Sequence, residues 1–199
     1  PFKNHGRLLD IGAGSGLLVR EADVLGYEAE GIEPSVWLQK IAENNNLKVH
    51  LGTLPHSSVG HNYDIITLVD IIEHVSAPVD ILKDVYSVLD DNGICLLITP
   101  DVKSLMARIL KWKWWHYRIA HIGYFNKETI ELCLKNAGFK IVSISRPIWY
   151  FPANYLIKRI MKYLPSFMNI PLPAFLSKIT IPLNLYDSIQ VIFVKDKEK

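Results

Sequence analysis

The chain has 199 residues, of which 49% are hydrophobic and 21% charged, and 22 Lys/Arg against 20 Asp/Glu leave a formal net charge of +2. That is enough apolar sequence for one sizeable core and crowded for two, so residues 1–199 are expected to form a single domain. Cys95 and Cys133, each inside an apolar segment, exclude a cysteine-based structural zinc site and read as reduced core residues of a cytoplasmic protein.

The first predicted element is a strand over about 7–11, the run Leu8-Leu9-Asp10-Ile11, which ends in Gly12-Ala13-Gly14-Ser15-Gly16. Glycines permit a tight turn and close approach of a ligand to the main chain, and the helix that follows offers unpaired N–H groups. Two ligands suit such a turn, a dinucleotide and S-adenosylmethionine; a ligand-free strand–helix turn is the alternative. The dinucleotide fingerprint asks for a third glycine at position 17, which is Leu17. The G-x-G-x-G spacing, with an acid two residues before its first glycine, resembles motif I of the class I S-adenosylmethionine-dependent methyltransferases. The resemblance implies that Asp10, Gly12, Gly14 and Gly16 belong to the cofactor site.

A helix over 15–26 is predicted next, stopped by Gly26, and then a strand over 28–33 that ends in Glu33. A carboxylate at that strand end can accept hydrogen bonds from both ribose hydroxyls of a nucleoside; a solvated surface acid is the alternative. The series continues as helix 35–45, strand 47–51, loop 52–61, strand 63–69, helix 77–89 with a stop at Asp90-Asp91-Asn92-Gly93, and a continuously apolar strand 94–99 of the kind buried on both faces. Alternating strands and helices predict an α/β fold, a doubly wound, Rossmann-like parallel sheet. Its crossovers should bring Asp10, Glu33, Thr53, Asp70 and Thr99 to one edge. The glycine loop comes so early that the domain is expected to be trimmed at its N-terminus.

Residues 101–125 break the pattern with Lys111-Trp112-Lys113-Trp114-Trp115-His116-Tyr117-Arg118, read as a cap insertion (102–125) over the active site. Trp112, Trp114, Trp115 and Tyr117 either wall a planar, prenylated or sugar substrate or belong to the core. His116 and His121 would face the same mouth, as base, substrate contact or structural residue. Asn126 is placed to cap a helix over 127–137, followed by a strand over 139–145. His121-Ile122-Gly123-Tyr124-Phe125 and the later Asn136-Ala137-Gly138-Phe139 are similar to the closing segment of small-molecule methyltransferases of the ubiquinone-biosynthesis-like group. In that group Ser188 to Lys195 corresponds to an antiparallel last strand beside the sixth, which completes a seven-stranded sheet.

A second insertion, 147–186, carries Leu156, Ile157, Ile160, Met161 and Leu164 on one helical face and Lys158, Arg159 and Lys162 on the other, then Pro165, Pro171, Pro173 and Pro182. No stretch of about 18 residues lacks both proline and charge, so it is not expected to span a membrane. It reads either as a lid packed on the domain or a second subunit, or as a basic amphipathic helix at a membrane interface. Charge favours an anionic partner: residues 1–101 hold 6 Lys/Arg against 15 Asp/Glu, whereas residues 102–199 hold 16 against 5. No nucleic-acid-binding motif is present, and nucleic acid is not expected as a partner.

Methyl transfer from a sulfonium needs an in-line approach in a dry pocket, and a hydroxyl acceptor must also lose its proton. Tyr63-Asp64-Ile65-Ile66-Thr67-Leu68-Val69-Asp70-Ile71-Ile72-Glu73-His74-Val75 resembles the family's fourth motif. Asp70, Glu73 and His74 match an acid-x-x-Glu-His pattern that can hold a divalent metal in quinone-pathway O-methyltransferases. Here Asp stands where those enzymes have Glu, a shorter arm, and no residue is assigned to a metal. Glu73, His74 and His121 are the candidate catalytic residues, with bracing of the next helix as the alternative for the first two. Thr53 is carried over as an adenine-side contact, and Asp70 as a cofactor contact at the methyl-donor edge. The expected activity is methylation, at oxygen, of a small or lipid-linked molecule at the cytoplasm or the inner face of a membrane. Its rivals are a non-catalytic docking module and an NAD-dependent reductase, the latter disfavoured by Leu17 and by the absence of a Tyr-x-x-x-Lys pair. The oligomeric state is left unassigned.

Overall fold

The computed structural model describes residues 5–161 and 172–197. Its first half alternates β1 (Gly6–Ile11), α1 (Leu17–Val24), β2 (Tyr27–Glu33), α2 (Val36–Asn44), β3 (Val49–Leu51), β4 (Tyr63–Val69), α3 (Pro78–Val88) and β5 (Leu89–Pro100). The second half contains α4 (Leu105–Leu110), α5 (Lys127–Asn136), β6 (Phe139–Ser145), β7 (Trp149–Pro152), α6 (Ala153–Met161), β8 (Thr180–Leu183) and β9 (Ser188–Lys195). Seven strands form one sheet in the order β3-β2-β1-β4-β5-β9-β6, parallel from β3 to β5, with β9 antiparallel between β5 and β6.

Strand alternation builds two cores on opposite faces of this sheet. Leu8 of β1 packs with Val19 and Ala22 of α1, Ala42 of α2 and Val49 of β3. Leu9 and Ile11 point the other way, into a larger cluster with Ile66, Leu68, Leu97 and Phe193, covered by Leu82 and Val85 of α3 and Ile130 and Leu134 of α5. Only Gly31, with no side chain, lets the Ala13 methyl of the glycine loop seat directly on β2. At the start of α5, Asn126 accepts from the Thr129 N–H at 3.1 Å while the Thr129 hydroxyl accepts from the Asn126 N–H at 2.9 Å, a reciprocal cap.

The predicted strand bounds 63–69, 139–145 and 188–195 coincide with β4, β6 and β9. Three expectations change. β5 is not buried on both faces along its length: Cys95 and Leu97 are buried, but Ile94 and Leu96 on the other face are half-buried. The expected stop at Asp90–Gly93 is an irregularity inside β5, where the register with β4 shifts between Tyr63 and Ile65. In the second insertion, β7 and β8 form a separate antiparallel hairpin that the sequence did not announce, and α6 follows β7 directly from Ala153. Leu156, Ile157 and Met161 are half-buried while Lys158 and Arg159 are exposed. Lys162, Leu164, Pro165 and Pro171 lie outside the described residues. Among the described residues no helix is long and apolar enough to cross a membrane.

Candidate functional site

Strand order reverses between β1 and β4, and the crevice beyond the carboxyl ends of such neighbouring strands is where open α/β sheets bind ligands. A cavity of about 350 Å³ opens there, walled by Gly12, Glu33, Thr53, Leu54, Ile71 and His74, among others.

The glycine loop is held to β2 by main-chain bonds: the Gly12 and Ala13 N–H groups both donate to the Ile32 carbonyl, at 2.8 and 3.1 Å. Gly12 adopts φ +71°, and a Cβ there would collide with the Ile71 side chain, so this corner of the cavity admits no larger residue. Glu33 then ties the loop to the start of α2. Its Oε2 accepts from the Gly14 N–H and its Oε1 from the Ser35 N–H, each at 2.8 Å. The carboxylate is buried at the cavity wall and keeps lone pairs for a further donor on either oxygen.

Of the cofactor contacts expected from sequence, Gly12, Glu33 and Thr53 line the cavity. Asp10 does not. It is buried beneath the loop, where its Oδ1 accepts from the Thr67 hydroxyl at 2.6 Å. Gly14 serves through its N–H on Glu33, and Gly16, at φ +80°, is the residue from which α1 starts. Asp70 stands exposed just past β4 at φ +53°, its N–H on the Ile98 carbonyl at 2.9 Å. Thr67 was not among the residues expected at the site; a lone hydroxyl in the apolar run Ile65-Ile66-Thr67-Leu68-Val69 was the available signal.

Burial drives the Asp10 carboxyl up to about 6, and the charge of Glu33 adds to this, while the Thr67 hydroxyl opposes it. Between the ordinary value of 3.8 and about 6 the folded chain therefore binds more protons than the unfolded one, so Asp10 lowers stability as pH rises through that window. Asp10→Asn keeps the acceptor for Thr67 and removes the charge. It is expected to stabilise the fold at pH 7.5 by up to about 3 kcal/mol while changing little at pH 3.5, read from urea unfolding at both pH values. An equal or lower stability at pH 7.5 would contradict this account.

Past β4 a single 3-10 turn, Ile72–His74, carries the other half of the site. Glu73 is buried. Its Oε2 accepts from the Thr99 hydroxyl at 2.9 Å, its Oε1 has no partner, and burial pushes the carboxyl up. The bracing expected of Glu73 is thus directed to the end of β5, through one oxygen. His74 lines the cavity with its Nδ1 2.8 Å from the Ala120 carbonyl, an arrangement that makes Nδ1 the protonated nitrogen and leaves the lone pair on Nε2. The cap closes on this turn, because the Ile122 and Gly123 N–H groups both donate to the Glu73 carbonyl at 2.9 Å. His121 is thereby set edge-on to His74, ring centroids 4.7 Å apart; its Nδ1 is buried without a partner, and desolvation followed by the charges of His74 and His116 lowers its pKa.

The aromatic segment divides instead of forming one wall. Trp114 is core, Trp112 is exposed, and Trp115 donates its Nε1–H to Asp187 at 3.0 Å. His116 shares the same Asp187 oxygen at 3.1 Å and stacks on His121, centroids 5.9 Å apart. Burial alone would raise Asp187, but the hydrogen bonds and charge of His116 and the Trp115 bond hold it below the usual range. Asp187 was missed, although it is the one acid between Glu131 and Asp196.

Glu73, His74 and His121 each offer one ligand atom within 4.8 Å of the others, so the donor set suits a divalent ion. Asp70, the first position of the acid-x-x-Glu-His pattern, is not part of this group.

Residues 1–144 match a family described as a methyltransferase domain. The ubiquinone biosynthesis O-methyltransferase of Ruegeria pomeroyi is 32% identical over 113 residues, covering 52% of this chain and 46% of that protein. That of Xanthomonas axonopodis pv. citri is 26% identical over 159 residues, covering 70% and 64%. The chain spans about half the length of several of the curated relatives it matches. A methyltransferase structure from Archaeoglobus fulgidus superimposes with a TM-score of 0.66 at 19% identity, over 98% of this chain and 88% of that one. With the glycine loop, the acid at the end of β2 and the antiparallel β9 in place, the chain belongs to the methyltransferase-domain family, as a class I, S-adenosylmethionine-dependent member.

Proposed function

We propose that this domain transfers the methyl group of S-adenosylmethionine to a hydroxyl of a small or lipid-linked acceptor. The observation that carries the reading is the single cavity bounded by Gly12 and Glu33 on one side and His74 on the other. In this arrangement Glu33 accepts from the ribose, Thr53 and Leu54 flank the adenine, and the sulfonium methyl faces His74. The acceptor oxygen attacks the methyl carbon as the carbon–sulfur bond breaks; the products are a methyl ether, S-adenosylhomocysteine and one proton. His74, with Nε2 free to accept, takes that proton, while the Ala120 carbonyl on its Nδ1 and the edge-on His121 ring hold it in place and exclude water.

Residues 1–199 act in this reading as one catalytic domain, with 102–125 as its cap. The name of the relatives supports oxygen as the atom methylated. Exposed Tyr150, Tyr155 and Phe175 beside exposed Lys158, Arg159 and Lys178 favour a lipid-linked acceptor met at an anionic membrane. The intact glycine loop and Glu33 weigh against a non-catalytic docking module.

The test is release of S-adenosylhomocysteine against a panel of phenols and catechols, with prenylated members presented in anionic and in neutral vesicles. Transfer to a phenolic oxygen is expected, faster on anionic vesicles at low salt. Cofactor binding without transfer to any acceptor would favour the docking module, and equal rates on both vesicle types would remove the membrane component.

A further inference from the structure

We infer that Asp187 is a positioning residue for methyl transfer, holding the cap so that its Ala120 carbonyl and His121 ring set His74 at the cavity. This rests on His74 as the proton acceptor of the preceding reading.

Asp187 follows the second insertion directly, precedes β9 and is 3% exposed. It engages the cap at two points. At the neck, where the Val102 N–H donates to the Phe125 carbonyl, the Asp187 carbonyl accepts from the Asp101 N–H, both at 2.9 Å. Farther along, one carboxylate oxygen, Oδ2, accepts from both Trp115 Nε1 and His116 Nε2. Two donors on one oxygen fix two cap side chains at a single point, and bonds to an ionised acceptor are the short, strong ones. The carboxylate is itself fixed from behind. Its Oδ1 accepts from the Ser188 hydroxyl at 3.3 Å, the Ser188 carbonyl accepts from Arg146 at 3.0 Å, and the same guanidinium meets Asp101 at 2.7 Å. Apolar packing would hold a loop as stably as a buried ionic contact; what the carboxylate adds is direction.

From His116 to the cavity the path is short. The Tyr117 N–H donates to the Trp114 carbonyl at 3.0 Å, the Arg118 Nε–H to the Trp115 carbonyl at 2.9 Å, and the His121 N–H to the Arg118 carbonyl at 3.1 Å. These bonds join residues 114–121 into one unit, so that fixing Trp115 and His116 also fixes Ala120 and His121. Ala120 then takes the His74 Nδ1–H, and His121 lies between two rings, stacked on His116 and edge-on to His74. The bonds from Ile122 and Gly123 to the Glu73 carbonyl tie the cap to the turn that carries His74. Asp187 ties it to the sheet, and thereby to the strand ends around the cavity. In-line transfer depends on that register, since a misplacement of about 1 Å costs roughly 100-fold in rate.

The experiment is a double-mutant cycle between Asp187→Ala and His116→Ala, read in kcat on the phenol that the wild-type chain methylates. S-adenosylhomocysteine is titrated against each variant, and the histidine ring resonances of the unliganded chains are recorded by NMR. Asp187→Ala is expected to lower kcat by roughly 10–10²-fold, with S-adenosylhomocysteine affinity within about 5-fold of wild type. The double variant should fall no more than about 3-fold below the lower single variant, because both substitutions remove the same contact. Asp187→Asn keeps an acceptor oxygen for Trp115 and His116 and should recover kcat to within about 5-fold of wild type. Asp187→Ala should also move the His74 and His121 ring resonances, and Asp187→Asn should return them toward their wild-type positions. A role confined to stability would leave kcat of Asp187→Ala within about 3-fold of wild type, or lower it together with cofactor affinity; either result overturns the inference. So do losses that multiply in the double variant, or a His74 resonance that does not move in Asp187→Ala. A wild-type chain that methylates no acceptor overturns the methyl-transfer reading instead, and the ring resonances still decide whether Asp187 sets His74.

Discussion

Glu33→Ala is expected to weaken S-adenosylhomocysteine binding by roughly 10²–10³-fold in a calorimetric titration, the value of one or two charge-assisted hydrogen bonds. Two losses add. The ribose loses its acceptor, and the glycine loop loses the carboxylate that ties Gly14 to Ser35 through two bonds of 2.8 Å. Glu33→Gln separates them, because an amide keeps one carbonyl oxygen for a main-chain N–H but must turn an NH₂ toward the other. It should fall between wild type and Glu33→Ala. Affinities within about 3-fold of wild type in both variants would mean that the cofactor does not meet this carboxylate, and would remove the main support for where its ribose sits.

The second large effect is on turnover. His74→Asn retains a side-chain N–H in reach of the Ala120 carbonyl, now 2.8 Å from the imidazole Nδ1, and deletes Nε2, the nitrogen proposed to take the proton. A loss of roughly 10²–10⁴-fold in kcat is expected, with S-adenosylhomocysteine affinity changed by less than about 5-fold. The split matters because His74 also lines the cofactor cavity. If binding and kcat fell together, the residue would be a wall and not a proton acceptor. Unchanged kcat would pass the role to His121, whose pKa is lowered by desolvation and by the charges of His74 and His116.

The half of the site that was legible in the sequence is the half made of near neighbours in the chain. Gly14 and Glu33 are 19 residues apart, on consecutive strand ends of one β-α-β unit, and the parallel crossover rule leaves a single way to bring them together. Thr53 could be placed at the cavity for the same reason. The aromatic cap was only partly legible. Its composition marked residues 102–125 as something other than a crossover helix, but not that Trp114 would be core and Trp112 exposed, since a tryptophan-rich segment carries no periodicity to separate the two faces.

By itself, then, the amino-acid sequence determined the parallel sheet, its glycine loop, the acid at the end of β2 and the strand bounds at 63–69 and 139–145, because these follow from local periodicity and glycine stereochemistry, while the family resemblance supplied the strand at 188–195. Tertiary structure alone decided that Asp10 sits under the loop on Thr67, 57 residues away, that Asp187 receives His116 from 71 residues away, and that His121, not Asp70, joins Glu73 and His74. The physical reason is common to all three. A buried polar atom takes whichever partner the packing of distant elements brings within about 3 Å, and no spacing along the chain encodes that choice.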